Sequence, residues 1–185
     1  AWAVHERKAG NLDEAREYFS RALVLDPANP YVCHAWGIME VKVGDLHKAR
    51  DLFLRALEAG PHPQVSVALA ELEAQTGDYK AARRRFQQGA EGSDLTPEDR
   101  VPLFMAWARL EEQHFGRTDV ALDILVRAGQ ENPEDIKVAI ALAQLELRMG
   151  NVDSACDIFE STAQLPMGDA RAGGGLYNAW ATVEA

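Results

Sequence analysis

The residues in this sequence that could do acid–base chemistry are carboxylates placed at regular intervals. Six glutamates recur every 33 to 38 residues: Glu6, Glu40, Glu73, Glu111, Glu146 and Glu184. General acid–base catalysis needs such groups to converge on one substrate, whereas even spacing spreads them along the chain. We therefore predict that these glutamates are structural and that the chain is not an enzyme.

Histidine and cysteine, the usual ligands of transition metals, show no ligand spacing here. The five histidines are scattered, and the two cysteines, Cys33 and Cys156, stand 123 positions apart without a CxxC pair. We expect both cysteines to pack as small apolar residues. No metal and no cofactor is therefore predicted.

A column of hydrogen-bond donors stands just before the recurrent turn glycines. Two positions ahead of each glycine, allowing for one extra residue in the fourth copy, the sequence has Lys8, Lys42, Gln75, Gln113 and Arg148. We call these five residues the donor column. It contains no acid, although the chain has 29 acids and a net charge of −10. Stacked donors can follow the phosphates of single-stranded RNA, but the helix dipole alone also favours cations at these positions.

The elements that must position these residues are repeated units. Turn glycines recur at Gly10, Gly44, Gly77, Gly116 and Gly150. An alanine follows each glycine by five residues: Ala15, Ala49, Ala82, Ala121 and Ala155. A large apolar residue follows four positions later: Phe19, Phe53, Phe86, Leu125 and Phe159. Apolar spacing of three and four on both sides of each turn indicates two amphipathic helices per unit. A period near 34 residues then predicts an all-α fold, an α-solenoid of stacked antiparallel helix hairpins.

We assign residues 1–185 to one solenoid and expect it to be part of a longer protein. The repeats span approximately residues 1–27, 28–61, 62–93, 99–131 and 133–165, followed by a truncated sixth over 174–185. The longer connection before the fourth repeat carries Thr96-Pro97-Glu98-Asp99. This order predicts a helix start with Thr96 as the N-cap and Pro97 in the first position.

A carboxylate near a packed seam needs a charged or hydrogen-bonding partner. Arginine follows the alanine in three copies, as Arg16, Arg50 and Arg83. We predict a contact within each repeat, between Glu40 and Arg50 and between Glu6 and Arg16. Leu122 and Cys156 replace the arginine in the last two copies, where the pairing is not expected. We expect Arg84 and Arg85, the two residues that follow Arg83, to be solvated or to face a partner.

The same positions carry a resemblance to a known family. All four tryptophans (Trp2, Trp36, Trp107 and Trp180) stand four residues before one of the glutamates. Trp, Glu, Gly-Asp or Gly-Asn, Ala-Arg and Phe-x-Arg-Ala in this order resemble the half-a-tetratricopeptide (HAT) repeat, which is related to the tetratricopeptide (TPR) repeat. The resemblance implies a TPR-like superhelix and a role in RNA metabolism. The regular period and the Trp36-Gly37 pair look most similar to chloroplast factors that stabilise and process photosystem II transcripts.

Two functions follow as expectations. In the first, the chain binds single-stranded RNA in the chloroplast stroma, through the donor column and through nearby exposed positions: Tyr31, His34, Arg109 and Lys137. In the second, it is a scaffold for other proteins of a nuclear splicing, 3′-end-formation or ribosomal-RNA-processing complex, without RNA contact; self-association is a variant of this function. The sequence has no run of 18 apolar residues, so no membrane span is predicted.

Overall fold

The computed structural model describes residues 12–92, 94–164, 175 and 179–181. Throughout these ranges the regular elements are α-helices, which confirms the predicted all-α fold of stacked hairpins. The helices are α1 (Leu12–Leu25), α2 (Pro30–Val43), α3 (Leu46–Glu58), α4 (Pro63–Gln75), α5 (Tyr79–Glu91), α6 (Pro97–Phe115), α7 (Thr118–Glu131), α8 (Ile136–Met149) and α9 (Val152–Ala163).

The chain divides into two compact units, Ala1–Leu95 and Thr96–Ala185. In the first unit, α2 and α3 form one hairpin and α4 and α5 the next, and α4 packs against both helices of the preceding hairpin. The second unit repeats this order: α6 with α7, then α8 with α9, with α8 against both α6 and α7. Each hairpin therefore covers the open side of its neighbour, as a solenoid requires.

The tight turns need glycine because their backbone is left-handed. Gly44, Gly77, Gly116 and Gly150 have φ between 62° and 95°, a region that residues with a Cβ atom rarely adopt. The N–H of the residue after each glycine donates to the carbonyl of the repeated glutamate, as from Asp45 to Glu40 (3.0 Å). In the fourth repeat Arg117 still reaches Glu111 (3.0 Å), so this turn absorbs the extra residue.

The predicted alanine and phenylalanine columns form the core. All five alanines are at most 1% exposed, and the large residues four positions later are at most 4% exposed. The phenylalanine of one repeat also stacks on the tryptophan of the next. The rings of Phe19 and Trp36 lie 5.7 Å apart and 12° from parallel, and those of Phe159 and Trp180 lie 6.2 Å apart at the same angle.

One close approach explains the glycine after Trp36. A Cβ atom on Gly37 would lie 2.3 Å from Cε1 of Phe53, which is far inside van der Waals contact. The ring of Phe53 is fully buried and fills this space. Alanine stands at the same position in the later repeats, at Ala70, Ala108 and Ala143.

The helix starts follow the polar residues before them. Asp45 accepts the N–H of Lys48 (3.1 Å), and Asp78 caps α5 in the same way. Thr96 is the N-cap of α6: its Oγ1 accepts the N–H of Asp99 (3.2 Å), with Pro97 in the first position. These contacts confirm the predicted helix start, with Thr96 as the N-cap and Pro97 in the first position.

Candidate functional site

The repeated glutamate is buried and ion-paired at the seam between hairpins. The Glu40 side chain is 0% exposed and accepts two bonds from Arg16, Nε to Oε1 (2.9 Å) and Nη2 to Oε2 (2.7 Å). Trp36 Nε1 donates to Oε1 (2.7 Å), and Lys48 Nζ lies 3.4 Å from the same oxygen. The hydrogen bond from Arg16 is the main cause that lowers the pKa of Glu40 to about 2. A carboxyl with such a pKa stays ionised at neutral pH and cannot serve as a general acid.

The predicted contact between Glu40 and Arg50 is wrong, and the predicted contact between Glu6 and Arg16 involves a residue outside those that the structure describes. Arg16 belongs to the first repeat and binds Glu40 of the second. Arg50, expected to contact Glu40, instead lies 3.9 Å from Glu73 of the third repeat. The physical reason is that a helix turns about 100° per residue, so an arginine that follows the seam alanine points away from its own hairpin and towards the next one.

In the third repeat, the glutamate binds an arginine for which the sequence predicts a solvated or partner-facing position. Arg85 donates to Glu73 through Nε (3.0 Å) and Nη2 (2.8 Å), and its side chain is only 25% exposed. The expectation that Arg85 is solvated is therefore wrong. Arg83, the arginine predicted to be structural, lies half-buried on α5 and Arg84 is exposed. Arg85 stands one turn after the buried Ala81, and this spacing from an apolar residue is the signal that could have indicated it.

In the second unit, the residue that follows the turn glycine contacts the side chain of the repeated glutamate. Trp107 Nε1 donates to Glu111 (3.0 Å), and Arg117 Nε lies 3.4 Å from the same side chain. In the fifth repeat, Asn151 Nδ2 donates to Glu146 (2.7 Å), which is only partly buried. Trp2, Glu6, Lys8 and Glu184 lie outside the described residues.

Three members of the donor column are exposed, and a fourth is paired with a carboxylate. Lys42, Gln75 and Gln113 are exposed near the ends of α2, α4 and α6. Arg148 is 54% exposed, but it forms a bidentate ion pair with Glu112 of α6, in which Nε lies 2.7 Å from Oε1 and Nη2 lies 3.1 Å from Oε2. The cation at the end of the column is thus already paired with a carboxylate.

Three of the other residues expected to contact RNA, Tyr31, Arg109 and Lys137, share helix faces with the donor column. Tyr31 is 74% exposed at the start of α2, three turns before Lys42. Arg109 lies one turn before Gln113 on α6, and Lys137 lies three turns before Arg148 on α8; both are exposed. Within each hairpin these side chains can therefore meet one extended partner.

The surroundings of His34 favour the neutral form of its ring. Its ring is partly buried beside Phe53, and its centroid lies 6.5 Å from that of His62. Burial, and secondarily His62, lowers the pKa of His34. The ring of Tyr31 packs edge-on against His62 at 5.3 Å. The four rings form an aromatic cluster, and exposed Tyr31 is its outer member.

Comparison with known families decides the class of the repeats. Residues 31–185 match the family described as pre-mRNA-splicing factor Syf1/CRNKL1 C-terminal HAT repeat. The chain belongs to this HAT-repeat family. A tetratricopeptide-repeat family matches residues 2–30. No curated protein matches the sequence.

Solved structures share the fold of this HAT-repeat chain at low identity. Yeast Tom70 is 21% identical with a TM-score of 0.70; the match covers 97% of this chain and 38% of Tom70. PilF of Pseudomonas aeruginosa is 17% identical with a TM-score of 0.66 and 85% of its length covered, against 98% of this chain. A tetratricopeptide repeat protein of Parabacteroides merdae is 22% identical with a TM-score of 0.62, covering 98% of this chain and 68% of that protein.

The charge of the HAT repeats differs between the two units. The first unit has 12 lysines and arginines against 14 acids, and the second has 7 against 15. Acids also lie on the helix faces that carry the donor column, since exposed Glu71 stands one turn before Gln75 and Glu112 directly precedes Gln113. These faces are therefore mixed in charge, and the second unit is strongly acidic.

Within 12–92, 94–164 and the short pieces after them, no group of three or more His, Cys, Asp or Glu side chains is arranged to hold a metal ion. In the same part of the chain, every helix is too short or too polar to cross a membrane.

Proposed function

We propose that this chain is a non-catalytic, protein-binding scaffold of a nuclear pre-mRNA-splicing complex. HAT and TPR repeats generally mediate contacts between proteins, and the family match over residues 31–185 supports the splicing setting. The observation that carries the proposal is the bidentate ion pair between Arg148 and Glu112. This pair neutralises the cation that a phosphate would need at one end of the donor column. The net charge of −10 also disfavours nucleic acid as the main partner.

The test separates contacts made through protein from contacts made through RNA. A tagged copy of the full chain is purified from nuclear extract, with and without ribonuclease, and splicing proteins are quantified by mass spectrometry. A scaffold retains these proteins after the RNA is digested. Loss of all of them with ribonuclease would refute the proposal. Light scattering of the purified chain shows whether self-association contributes.

The acid-free donor column favours a second candidate, a binder of single-stranded RNA. In this candidate the setting is the chloroplast stroma and the ligand is the 5′ region of a photosystem II transcript. Lys8, Lys42 and Arg148 are changed together to alanine, and the salt dependence of binding to labelled single-stranded RNA is measured. Three lost phosphate contacts reduce the log–log slope by roughly 2.

A matched variant makes the RNA test specific to Arg148. Glu112→Gln keeps the size of the side chain but removes the charge that neutralises Arg148. If RNA lies along the donor column, this variant binds RNA more tightly and with a steeper salt dependence than the wild type. Under the scaffold proposal, neither protein binds RNA measurably at physiological salt.

A further inference from the structure

The connection between the two units contains a motif that the scaffold proposal does not use. Thr96 followed by Pro97 is the only Ser-Pro or Thr-Pro pair in the 185 residues. Thr96 is exposed, and it ends the non-helical residues that precede α6. The boundary between the units falls immediately before it.

The backbone at Thr96 has the form that a proline-directed kinase binds. Its φ is −67° and its ψ is 160°, an extended conformation that the following proline favours because it disfavours helix in the residue before it. Protein kinases bind the acceptor residue in an extended segment, and the proline-directed class selects a proline directly after it. Thr96 therefore presents its hydroxyl group without prior unfolding of the acceptor residue.

The contacts of the hydroxyl group are local and easily exchanged. Oγ1 accepts the N–H of Asp99 (3.2 Å) and donates to Asp99 Oδ2 (3.0 Å). Asp99 is itself exposed, so both contacts can open without disturbing the core. The first-turn amides of a helix have no carbonyl partner within the helix, while the carbonyl groups of Thr96 and Pro97 accept the N–H of Arg100 (3.2 Å) and Nδ2 of Asn132 (2.9 Å).

We propose that Thr96 is a phosphorylation site for a proline-directed serine/threonine kinase. In the transfer, Thr96 Oγ1 attacks the γ-phosphorus of ATP and a new oxygen–phosphorus bond forms. The bond from the γ-phosphorus to the bridging oxygen breaks, ADP leaves, and the hydroxyl proton passes to the catalytic carboxylate of the kinase.

The product places an anionic group at the start of α6. A phosphate carries about −1.5 to −2 charges at neutral pH. It meets the positive end of the α6 dipole and the first-turn amides, but it can no longer donate to the Asp99 carboxylate. Phosphorylation thus exchanges a neutral cap for a charged one beside Glu98 and Asp99.

The experiment uses the full chain, a purified cyclin-dependent kinase and Mg-ATP. We expect one phosphate per chain, assigned to Thr96 by fragment mass spectrometry, and none in Thr96→Ala. Thr96→Ser keeps both the cap and the acceptor and remains a substrate. Pro97→Ala keeps the hydroxyl group, but its rate falls at least about tenfold, because alanine releases residue 96 from the extended backbone and removes the ring that the kinase selects. Circular dichroism of each variant confirms that the helices are intact.

A parallel reaction tests the kinase class. An acidophilic kinase, which selects an acid three residues after the acceptor, would use Asp99, and its reaction would be sensitive to Asp99→Asn rather than to Pro97→Ala. No phosphate on Thr96 with the proline-directed kinase, or an unchanged rate for Pro97→Ala, overturns the proposal. Faster modification by the acidophilic kinase also overturns it.

Discussion

The two units solve the same problem at the hairpin seam with different residues. In the first unit, the residue after the turn glycine is an aspartate that caps the next helix, at Asp45 and Asp78. The glutamates of this unit receive arginines from helices: Glu40 from the preceding repeat and Glu73 mainly from Arg85 of its own repeat. In the second unit, the equivalent residues are Arg117 and Asn151, which contact the glutamate itself. The helices that follow these two residues lack a side-chain cap.

This difference shows what the seam requires. The requirement is a donor or cation for a carboxylate that packing removes from water, and the donor can come from the preceding repeat, from the turn, or from one helix turn further on, as with Arg85. Where the arginine is replaced by Leu122, Glu146 is only partly buried and one amide serves it. The seam of the first unit should therefore be more sensitive to loss of charge.

The largest effect is expected from Arg16→Met. It leaves the fully buried Glu40 with only Lys48 and the Trp36 N–H, and removal of one partner of a buried pair costs about 3 kcal/mol. Urea unfolding followed by circular dichroism measures the loss. Arg21→Met, on the same helix, removes an arginine from an exposed pair with Glu17 and should cost less than about 0.5 kcal/mol. Similar losses in the two variants would contradict the proposed seam.

The second prediction concerns the acid range. The pKa of Glu40 is about 2 in the folded chain, below its ordinary value of 4.5. Its contribution is therefore complete above pH 4.5 and is lost as the pH falls towards 2, a difference of about 3 kcal/mol. Free energies of unfolding between pH 5 and pH 2 should fall more steeply for the wild type than for Glu40→Gln. Parallel curves would show that ionisation of Glu40 makes no contribution to the pH dependence of the free energy of unfolding.

The third prediction compares the small residues beside the tryptophan position. Gly37→Ala forces a Cβ atom into the Phe53 ring and should cost about 2 kcal/mol despite the better helix propensity of alanine. Ala143→Gly, at the same position of the second unit, should cost only about 1 kcal/mol through propensity. Phe53→Leu should reduce the cost of Gly37→Ala in a double-mutant cycle. A purely additive cycle would exclude the clash.

The smallest effect is expected when the seam around Glu146 in the second unit is given the residues found in the first unit. Leu122→Arg offers Glu146 an arginine from the preceding repeat, and Asn151→Asp restores a cap to α9 while it removes the amide that now serves Glu146. Asn151→Asp alone should destabilise the chain slightly, whereas the double variant should be more stable than the sum of the single changes by up to about 1 kcal/mol. A coupling of zero would mean that the two designs are not interchangeable.

Much of the fold could be predicted from the sequence because one spacing repeats. The turn glycines, the seam alanines and the phenylalanine column are local patterns, and each copy confirms the others. The partner of Glu40 could not be predicted, because residues 16 and 50 are both arginines at the same repeat position and only the direction of the helix face distinguishes them. The ion pair of Arg148 with Glu112 could not be predicted from the sequence either, because it joins side chains 36 residues apart.

The contact between Arg16 and Glu40 ties the second helix of one repeat to the first helix of the next. The two helices of each hairpin still pack against each other, so a cut at a repeat boundary leaves the hairpins whole but can separate an arginine from its carboxylate. A truncated version of this chain that begins at α2 would therefore keep its first hairpin and lose the main partner of Glu40. Gene duplication faces the same constraint, because a newly inserted copy must either supply an arginine to the glutamate that follows or leave that glutamate to a donor of its own repeat.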